Sequence, residues 1–460
     1  MDSAVPDEAA QSIATSLATY AATLALERIP APIAQAARLF MLDTLAVAWA
    51  GSDAPGCPAL HRMLAADGGP DQACAWGHAD RLPVGDAAFL NAATASALDY
   101  DSLGRDAPVH VNVVVLPAAL AVAQWQRASG RDFLAALVAG CDITCRIAAS
   151  MTPPHRGFAY TSVAGVIGAA AAAARLMRLD GATTRHALGL AFLQAGGTQQ
   201  ANIEPTLAKR LLAAFPARAG VLAARLAAAG FTAPASVFEG ECGLYALYQP
   251  GDPARLTEAL GQRFDSDALS IKAYPSCGCN HTAIAGTLAL AHAHDLAPED
   301  VVAVEATVTP YMARIVGSAY DPGEDPQAAA QFSLTYSIAC ALVRRRLGLA
   351  EIEAEAATDP RILALVPRIV VKVNADWTGT RGPVLLRLHS RRHGWLERRV
   401  DHVPGTAESP LDPAAIDAKI AECLGRGARP LDTVRIARLR ERVESLHEIE
   451  DMDRFFEGIV

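Results

Sequence analysis

One short stretch of the chain, from Asp99 to Pro117, collects side chains suited to acid–base chemistry. It reads DYDSLGRDAPVHVNVVVLP, so acids, a tyrosine, a serine and a histidine precede an apolar run. Polar loops between apolar helices often carry exposed functional groups. Two interpretations are open for this stretch alone. Either Asp99 and His110 take part in catalysis, or Asp99 and Asp101 cap helices while His110 is a satisfied, partly buried residue.

The segment PPHRGFAYT, from Pro153 to Thr161, offers an acid and a cation just before a long alanine run. Tyr160 can act as an acid, Arg156 can pair with a carboxylate, and His155 stands beside that arginine. These residue types favour an anionic ligand. An ordinary loop is the simpler interpretation of the segment in isolation.

The segment ANIEPTLAKRLLAAFPARAG, from Ala201 to Gly220, places Lys209 and Arg210 side by side near a helix start. An arginine gives two-pronged contacts to a carboxylate and a lysine gives a point charge, so the pair could clamp an acid. A solvated helix face explains the same two residues if they are taken alone.

The segment PSCGCNH spaces Cys277, Cys279 and His281 two residues apart. Such ligands could bind zinc or iron, but the chain has no second cluster to complete a closed site, so we predict no metal. His281 alone, at a helix start where backbone N–H groups favour anions, is the better functional candidate. Inert cysteines in a helix-capping loop are the alternative.

Composition restricts the kind of protein that carries these groups. The 460 residues are 52% apolar with much alanine, which favours two or three domains built of long, closely packed helices. A net charge of −9 argues against a nucleic-acid partner. The chain also lacks the GxGxxG, GxxxxGK, GxSxG and HExxH motifs, so nucleotide-binding and serine-hydrolase functions have no starting signature.

Cysteine usage and the apolar runs predict where the protein works. The nine cysteines lack the spacing of a disulfide framework, which indicates a reducing compartment. The acidic start MDSAVPDEAAQS does not resemble an export signal. The longest apolar run, Val163 to Ala174, is too short to cross a bilayer. We therefore expect a cytoplasmic protein without a membrane partner.

Two regions of the chain with different sequence patterns predict its architecture. Residues 87–228 are almost wholly helical in pattern, and polar loops at 99–112, 150–162 and 195–210 could converge on one pocket of a helical bundle. Residues from about 270 to 405 alternate four valine- and leucine-rich runs with helical ones, which predicts helices on one face of an antiparallel sheet.

The ordered motifs LDYDS…H…VLPAALA, GF-x-x-TS-x-x-G-x-x-GAAAAAA, T-x-AKRL…ARAG, GFTAP-x-SVFEG and YPSC…NH-x-x-I-x-G resemble those of the MmgE/PrpD family. QFSLTYSIACAL fits the same family's lid region, and the resemblance runs from about residue 10 to 445. It implies a mainly α homodimer, with a large all-helical domain built from both chain ends and a smaller α+β lid. The domains would be 1–268, 269–408 and the returning helices 409–460.

The resemblance also implies chemistry on small di- and tricarboxylates without metal or organic cofactor. Known family activities are 2-methylcitrate dehydration, cis-aconitate decarboxylation and iminodisuccinate epimerisation. Four positions match the family's functional residues, namely Asp99, His110, Lys209 and His281, and Tyr320 matches a lid tyrosine.

Two family histidines are absent, because Ala159 and Leu212 stand in their places. In our hypothesis Lys209, together with Arg210, binds the substrate carboxylates, and Asp99 orients the lysine or a histidine. His110 and His281 would share the acid and base roles, with Tyr160 as a replacement acid. The remaining predicted substrate-binding residues are Arg156, Ser102 and Tyr320.

These residues predict a lyase, either a dehydratase or a decarboxylase, acting on a small polycarboxylate. All the family reactions handle a proton or a developing carbanion next to a carboxylate. An epimerase with two opposed acid–base groups is the first alternative, and the absent histidines leave it open. A non-catalytic binding protein that retains the fold is the second.

Overall fold

The structure is a computed structural model that describes residues 12–105, 107–153 and 156–460. The described chain is mainly helical, as predicted. The α-helices are α1 Ile13–Thr23, α2 Ala31–Gly51, α3 Cys57–Asp67, α4 Val84–Ala97, α5 Asn112–Trp125, α6 Gly130–Ser150, α7 Tyr160–Leu176, α8 Gly181–Phe192, α9 Gln200–Ile203, α10 Leu211–Ala228, α11 Leu244–Leu247, α12 Ala254–Thr257, α13 His281–Ala293, α14 Pro310–Val316, α15 Pro326–Gln331, α16 Leu334–Arg344, α17 Ala354–Ala357, α18 Pro360–Leu365, α19 Pro413–Leu424 and α20 Thr433–Glu444.

Helices α4 to α7 and α10 form the centre of the helical part, and the small residues let them pack closely. All six residues of the run 169–174 are buried. A Cβ atom at Gly168 would lie 2.4 Å from the carbonyl oxygen of Gly140, so only glycine permits this crossing of α6 and α7. A Cβ atom at Gly220 would lie 2.6 Å from the Cβ atom of Ala169, where α10 meets α7. Alanine and glycine therefore bring the helices that carry the polar loops close together.

The strands are short except in one sheet. They are β1 Ala73–Cys74, β2 Arg81–Leu82, β3 Leu103–Gly104, β4 Leu269–Ser270, β5 Val301–Val308, β6 Ile369–Val373, β7 Val384–Ser390 and β8 Gly394–Val400. β5 to β8 form a four-stranded sheet in the order β6-β5-β7-β8, and α13 packs on β7 and β8. The four strand-like runs of the sequence are thus confirmed.

The prediction that this sheet is antiparallel is wrong at one pairing. β5 pairs antiparallel with β7 but parallel with β6, with Val304 opposite Ile369. Helices α14 to α18 lie between β5 and β6 in the chain, and such a long crossover returns the chain in its original direction. Hydrophobic alternation identifies a strand but carries no information on the direction of its neighbour.

The C-terminal helices lie against the N-terminal part of the chain. α19 packs on α2, where the Lys419 ammonium lies 2.6 Å from the Asp43 carboxylate and donates a hydrogen bond to the carbonyl oxygen of Tyr100 at 2.9 Å. The indole of Trp49 donates to the carbonyl oxygen of Arg429 at 2.6 Å. The Lys419 hydrogen bond thus ties α19 to Tyr100 at the start of the 99–112 loop. The division into a helical domain and a lid, with its boundaries, stays a prediction.

Three described helical segments are, by length and composition alone, long and apolar enough to cross a bilayer: 31–51, 130–150 and 207–228. Each of these segments is longer than the apolar run from Val163 to Ala174. Of their apolar stretches, 67%, 94% and 50% respectively are buried inside the fold. The expected absence of a membrane partner and the cytoplasmic location stay predictions.

Candidate active site

The three polar loops of the helical part converge on one pocket, as their pattern predicts. Loop 99–112 contributes Asp99, Pro108 and His110, loop 150–162 contributes Ala159, Tyr160 and Thr161, and loop 195–210 contributes Gln199, Asn202 and Lys209. The segment 277–279, Tyr311, Phe332 and the dipeptide 380–381 also line this pocket. Residues from both the helical part and the region around the sheet therefore face the same space.

Asp99 lines the pocket and pairs with the ammonium groups of two lysines. It follows α4 with a positive φ of 48°, a conformation that aspartate tolerates better than most residues. One carboxylate oxygen pairs with the Lys209 Nζ, and the other lies 2.8 Å from the Lys272 Nζ. Lys272 also donates to the backbone carbonyl oxygen of Asp99 at 2.6 Å. All three side chains are buried.

The electrostatics of this cluster keep both partners charged. Burial alone would raise the pKa of Asp99, but the positive charges of Lys209 and Lys272 outweigh it and hold that pKa below its ordinary value. Burial would likewise lower the pKa of Lys209, yet the charges of Asp99 and Asp101 raise it above its ordinary value. Lys209 is therefore an ammonium ion at neutral pH, suited to attract a carboxylate and unsuited to act as a base.

A second carboxylate orients the histidine of the pocket. Asp101 is fully buried, and one of its oxygens lies 2.5 Å from His110 Nδ1. The backbone N–H of His110 donates to Thr161 Oγ1 at 3.0 Å, which ties this loop to the start of α7. Burial would raise the pKa of Asp101, but His110 lowers it overall. The carboxylate fixes the ring at Nδ1 and leaves Nε2 as the nitrogen that can exchange a proton with a ligand.

Replacing Asp101 with asparagine should lower kcat by about 10²–10⁴-fold, the usual effect of losing a positioned acid–base group. An amide does not stabilise an imidazolium and offers a hydrogen-bond donor to Nδ1, which favours the wrong tautomer. KM should change little, because Asp101 is not among the described residues that line the pocket.

Asp80→Asn is the matched control, since Asp80 makes the same kind of contact to His61 at 2.6 Å outside the pocket. The control should retain full activity. Steady-state kinetics over a range of pH values checks both variants, and an Asp101→Asn enzyme with unchanged kcat would exclude a role for this pair.

Tyr160 is the first residue of α7, and its buried ring lines the pocket. It stacks on Phe158 with ring centroids 4.6 Å apart. Burial raises the pKa of its hydroxyl, although a hydrogen bond with Gln249 opposes the shift. The phenol therefore stays protonated, and it can donate a hydrogen bond or a proton.

His281 begins α13 but is not among the described residues that line the pocket. It is fully buried, its Nε2 lies 3.1 Å from the carbonyl oxygen of Ser276, and its ring packs edge-on against Tyr274. Burial, together with the charge of Lys272, lowers its pKa to about 3. The imidazole is thus neutral, and it lies close enough to Lys272 and Asp99 to sense their charges. Its predicted acid–base role stays a prediction.

The predicted substrate-binding residues are not brought together. Arg210 is buried, and its Nη2 donates to Gln327 Oε1 at 2.7 Å; burial lowers its pKa. Ser102 accepts a hydrogen bond from Asn112 at 3.1 Å, and the Tyr320 hydroxyl donates to the carbonyl oxygen of Ala357 at 2.8 Å.

Arg156 is exposed, and His155 lies outside the described residues. None of Arg156, Arg210, Ser102 and Tyr320 is among the described residues that line the pocket.

Sequence reasoning missed Lys272 and gave Asp101 no catalytic role. A single lysine in the run IKAYPSC, directly before one of the recurring motifs, was an available signal for Lys272. For Asp101 no local signal separates it from Asp99, because the two acids lie two residues apart and only the folded loop decides which one reaches His110.

Asp99, Asp101 and His110 are also the one group among the described residues whose ligand atoms, all within 4.8 Å of one another, could hold a metal ion. Both oxygens of Asp99 already contact an ammonium group, so positive charge is present where a cation would sit. At the other candidate, Cys279 Sγ donates to the carbonyl oxygen of Thr380 and His281 Nε2 contacts Ser276. The absence of metal and cofactor stays a prediction.

Comparison with known proteins identifies a family that matches most of the chain. Models of the MmgE/PrpD N-terminal domain and the MmgE/PrpD C-terminal domain match residues 15–257 and 274–445. A cis-aconitate decarboxylase-like protein of Aspergillus oryzae is 30% identical over 59% of this chain and 60% of its own length.

The cis-aconitate decarboxylase of Homo sapiens is 28% identical over 58% of this chain and 57% of its own, and that of Mus musculus is 25% identical over 80% and 77%. The chain thus spans under two thirds of the length of the fungal and human relatives.

Proposed function

The chain belongs to the MmgE/PrpD family, and on that premise we propose that it is a cofactor-independent lyase acting on a small di- or tricarboxylate. The mammalian relatives are named cis-aconitate decarboxylases and the Aspergillus oryzae one a cis-aconitate decarboxylase-like protein, which favours decarboxylation over the dehydration of a 2-methylcitrate-like substrate. The matches to those relatives are partial, so the reaction itself belongs to the proposal.

One observation carries the proposal: a protonated lysine and a carboxylate-oriented histidine line the same pocket. The carboxylates of Asp99 and Asp101 keep Lys209 protonated, and Lys272 shares the Asp99 carboxylate with it. His110 stands beside it with Nδ1 committed to Asp101. A cation for a carboxylate and a group that moves a proton are the two requirements of chemistry next to a carboxylate.

For decarboxylation, the bond between a carbon and its leaving carboxylate breaks, and carbon dioxide departs. The electron pair stays on the substrate and spreads toward a neighbouring double bond or carboxylate. Lys209 stabilises the charge that develops there, and a protonated His110 delivers one proton from Nε2 to carbon. Asp101 stabilises the imidazolium before transfer. In a dehydration, neutral His110 would instead remove the proton next to the carboxylate.

An assay of the purified protein with cis-aconitate should show carbon dioxide release with uptake of one proton for each molecule consumed. A panel with 2-methylcitrate and other hydroxy acids tests for dehydration through the absorbance of the new alkene. Deuterium incorporation without net conversion would favour the epimerase alternative. Binding in a thermal-shift screen without turnover of any panel member would contradict the lyase and leave the non-catalytic alternative.

The partner predictions rest on the family resemblance. A homodimer stays a prediction, as does the absence of a nucleic-acid partner.

A further inference from the structure

Two thiols line the pocket without a role in the proposed reaction. Cys277 is half-buried and Cys279 is buried, and both line the same space as Lys209. The single S–H of Cys279 has two acceptors within reach, the carbonyl oxygen of Thr380 at 3.1 Å and the sulfur of Cys277. The two sulfur atoms are therefore close enough to share a hydrogen bond, and one glycine separates their residues in the chain.

The surroundings of Cys277 favour the thiolate, which is the reactive form of a cysteine. The hydrogen bond from Cys279 lowers the pKa of Cys277, and the charge of Lys272 acts in the same direction against burial and the Asp99 carboxylate. Cys277 also directly precedes the turn Gly278–Asn280 that leads into α13, and the start of a helix stabilises a thiolate. Cys277 thus combines an activated sulfur with a place on the wall of the pocket.

Other cysteines of the described chain lack this combination. Burial raises the pKa of five thiols, which therefore stay protonated and unreactive: Cys57, Cys74, Cys141, Cys340 and Cys423. Cys242 is exposed but is not among the described residues that line the pocket.

The segment that carries the two thiols is packed tightly on both sides. A Cβ atom at Gly278 would lie 2.6 Å from Leu103 Cδ1 and 3.0 Å from Arg381 Cδ. Arg381 in turn donates from Nη2 to the carbonyl oxygen of Gly104 at 2.7 Å. A bond between the two sulfur atoms would remove the S–H that Thr380 accepts, so it would change the contacts of the wall formed by residues 380–381.

We propose that Cys277 and Cys279 are an oxidation site in the wall of the pocket, at which a peroxide forms a reversible disulfide. The Cys277 thiolate attacks one oxygen of hydrogen peroxide, the O–O bond breaks, and hydroxide leaves as the sulfur becomes a sulfenic acid. The Cys279 thiol then attacks that sulfur, the S–S bond forms, and water leaves. In sum, the two thiols lose two electrons and two protons, and one peroxide is reduced to two water molecules.

The disulfide should be easily reversed and should lower turnover while it persists. A ring closed by cysteines with one residue between them is strained, and strained disulfides are the readily reduced ones. Turnover should fall because catalysis tolerates only small displacements of the groups that position a substrate. The effect on turnover rests on the proposed function, whereas the disulfide itself does not.

Mass spectrometry of a tryptic digest tests the site in the wild type. Trypsin releases residues 273–314 as one peptide, because no lysine or arginine stands between Lys272 and Arg314, and its two cysteines are Cys277 and Cys279. After hydrogen peroxide treatment of the folded protein and alkylation of free thiols, this peptide should lack two hydrogens and carry no alkyl group. Dithiothreitol should restore two alkylated thiols. Cys242→Ser is the matched control and should form the same disulfide.

Cys279→Ser removes the second thiol and keeps a hydroxyl donor for Thr380. Peroxide should then stop at the sulfenic acid of Cys277, which dimedone traps as an adduct, and Cys277→Ser should give no adduct in this peptide. Two free thiols in the treated wild type, or no dimedone adduct in Cys279→Ser, would overturn the site.

Turnover of the wild type should fall on oxidation and return with dithiothreitol. Unchanged turnover in the fully oxidised protein would overturn the effect on catalysis. An untreated wild type that turns over no carboxylate would instead contradict the proposed function, while the mass of the peptide still decides whether the disulfide forms.

Discussion

Replacing Lys209 with methionine should lower kcat/KM for the carboxylate substrate by about 10²–10³-fold, the usual effect of removing one preorganised group from a developing charge. In the proposed reaction the ammonium both attracts the substrate and stabilises the transition state, and Lys209 is the one lysine among the described residues that line the pocket. Methionine has a similar length and an unbranched stem, so it fits the buried path of the lysine.

The fold should survive this change, because Lys272 still compensates the charge of Asp99 after Lys209 is removed. Circular dichroism and the thermal midpoint check that point. Lys372→Met is the matched control, since Lys372 is exposed on β6 and pairs with Glu305 away from the pocket. Activity of Lys209→Met within a few-fold of the control would remove the lysine from the mechanism.

Replacing Asp99 with asparagine should lower the free energy of unfolding by about 3–5 kcal/mol at neutral pH, as is typical when one partner of a buried ion pair is removed. The variant leaves two ammonium groups, Lys209 and Lys272, buried without a counter-charge at this position. Urea denaturation at pH 7 measures the difference. Asp67→Asn, at an exposed end of α3, is the control and should be neutral.

The same carboxylate makes the wild type sensitive to acid. The folded pKa of Asp99 is lower than the unfolded value of about 3.9, so the unfolded chain takes up the proton first as the pH falls. The stability that Asp99 contributes is therefore complete above the unfolded pKa and is lost as the pH falls below it. Asp99→Asn should show a flatter dependence in that range, and an unchanged acid profile would contradict the assignment.

Local chemistry predicted much of the fold. Alanine-rich helical runs, four alternating strands and three polar loops were all recognisable, because period and turn residues are properties of neighbours in the chain. The convergence of those loops followed from the same pattern. The parallel pairing of β5 with β6 did not, since strand direction depends on the whole crossover between them.

At the site, the sequence by itself determined which groups were available: the Asp99–His110 loop, Lys209 and the segment ending at His281 each had a bland alternative in isolation, and the order of the motifs that resembles the MmgE/PrpD family selected them. Only the tertiary structure decided the pairing, giving His110 to Asp101 and two lysines to Asp99. Lys272 lies 173 residues from Asp99, and Arg381 lies 277 from Gly104. Residues so far apart in the sequence meet only because the helices pack together. The burial and the neighbouring charges that result decide whether a lysine stays charged or a histidine stays neutral.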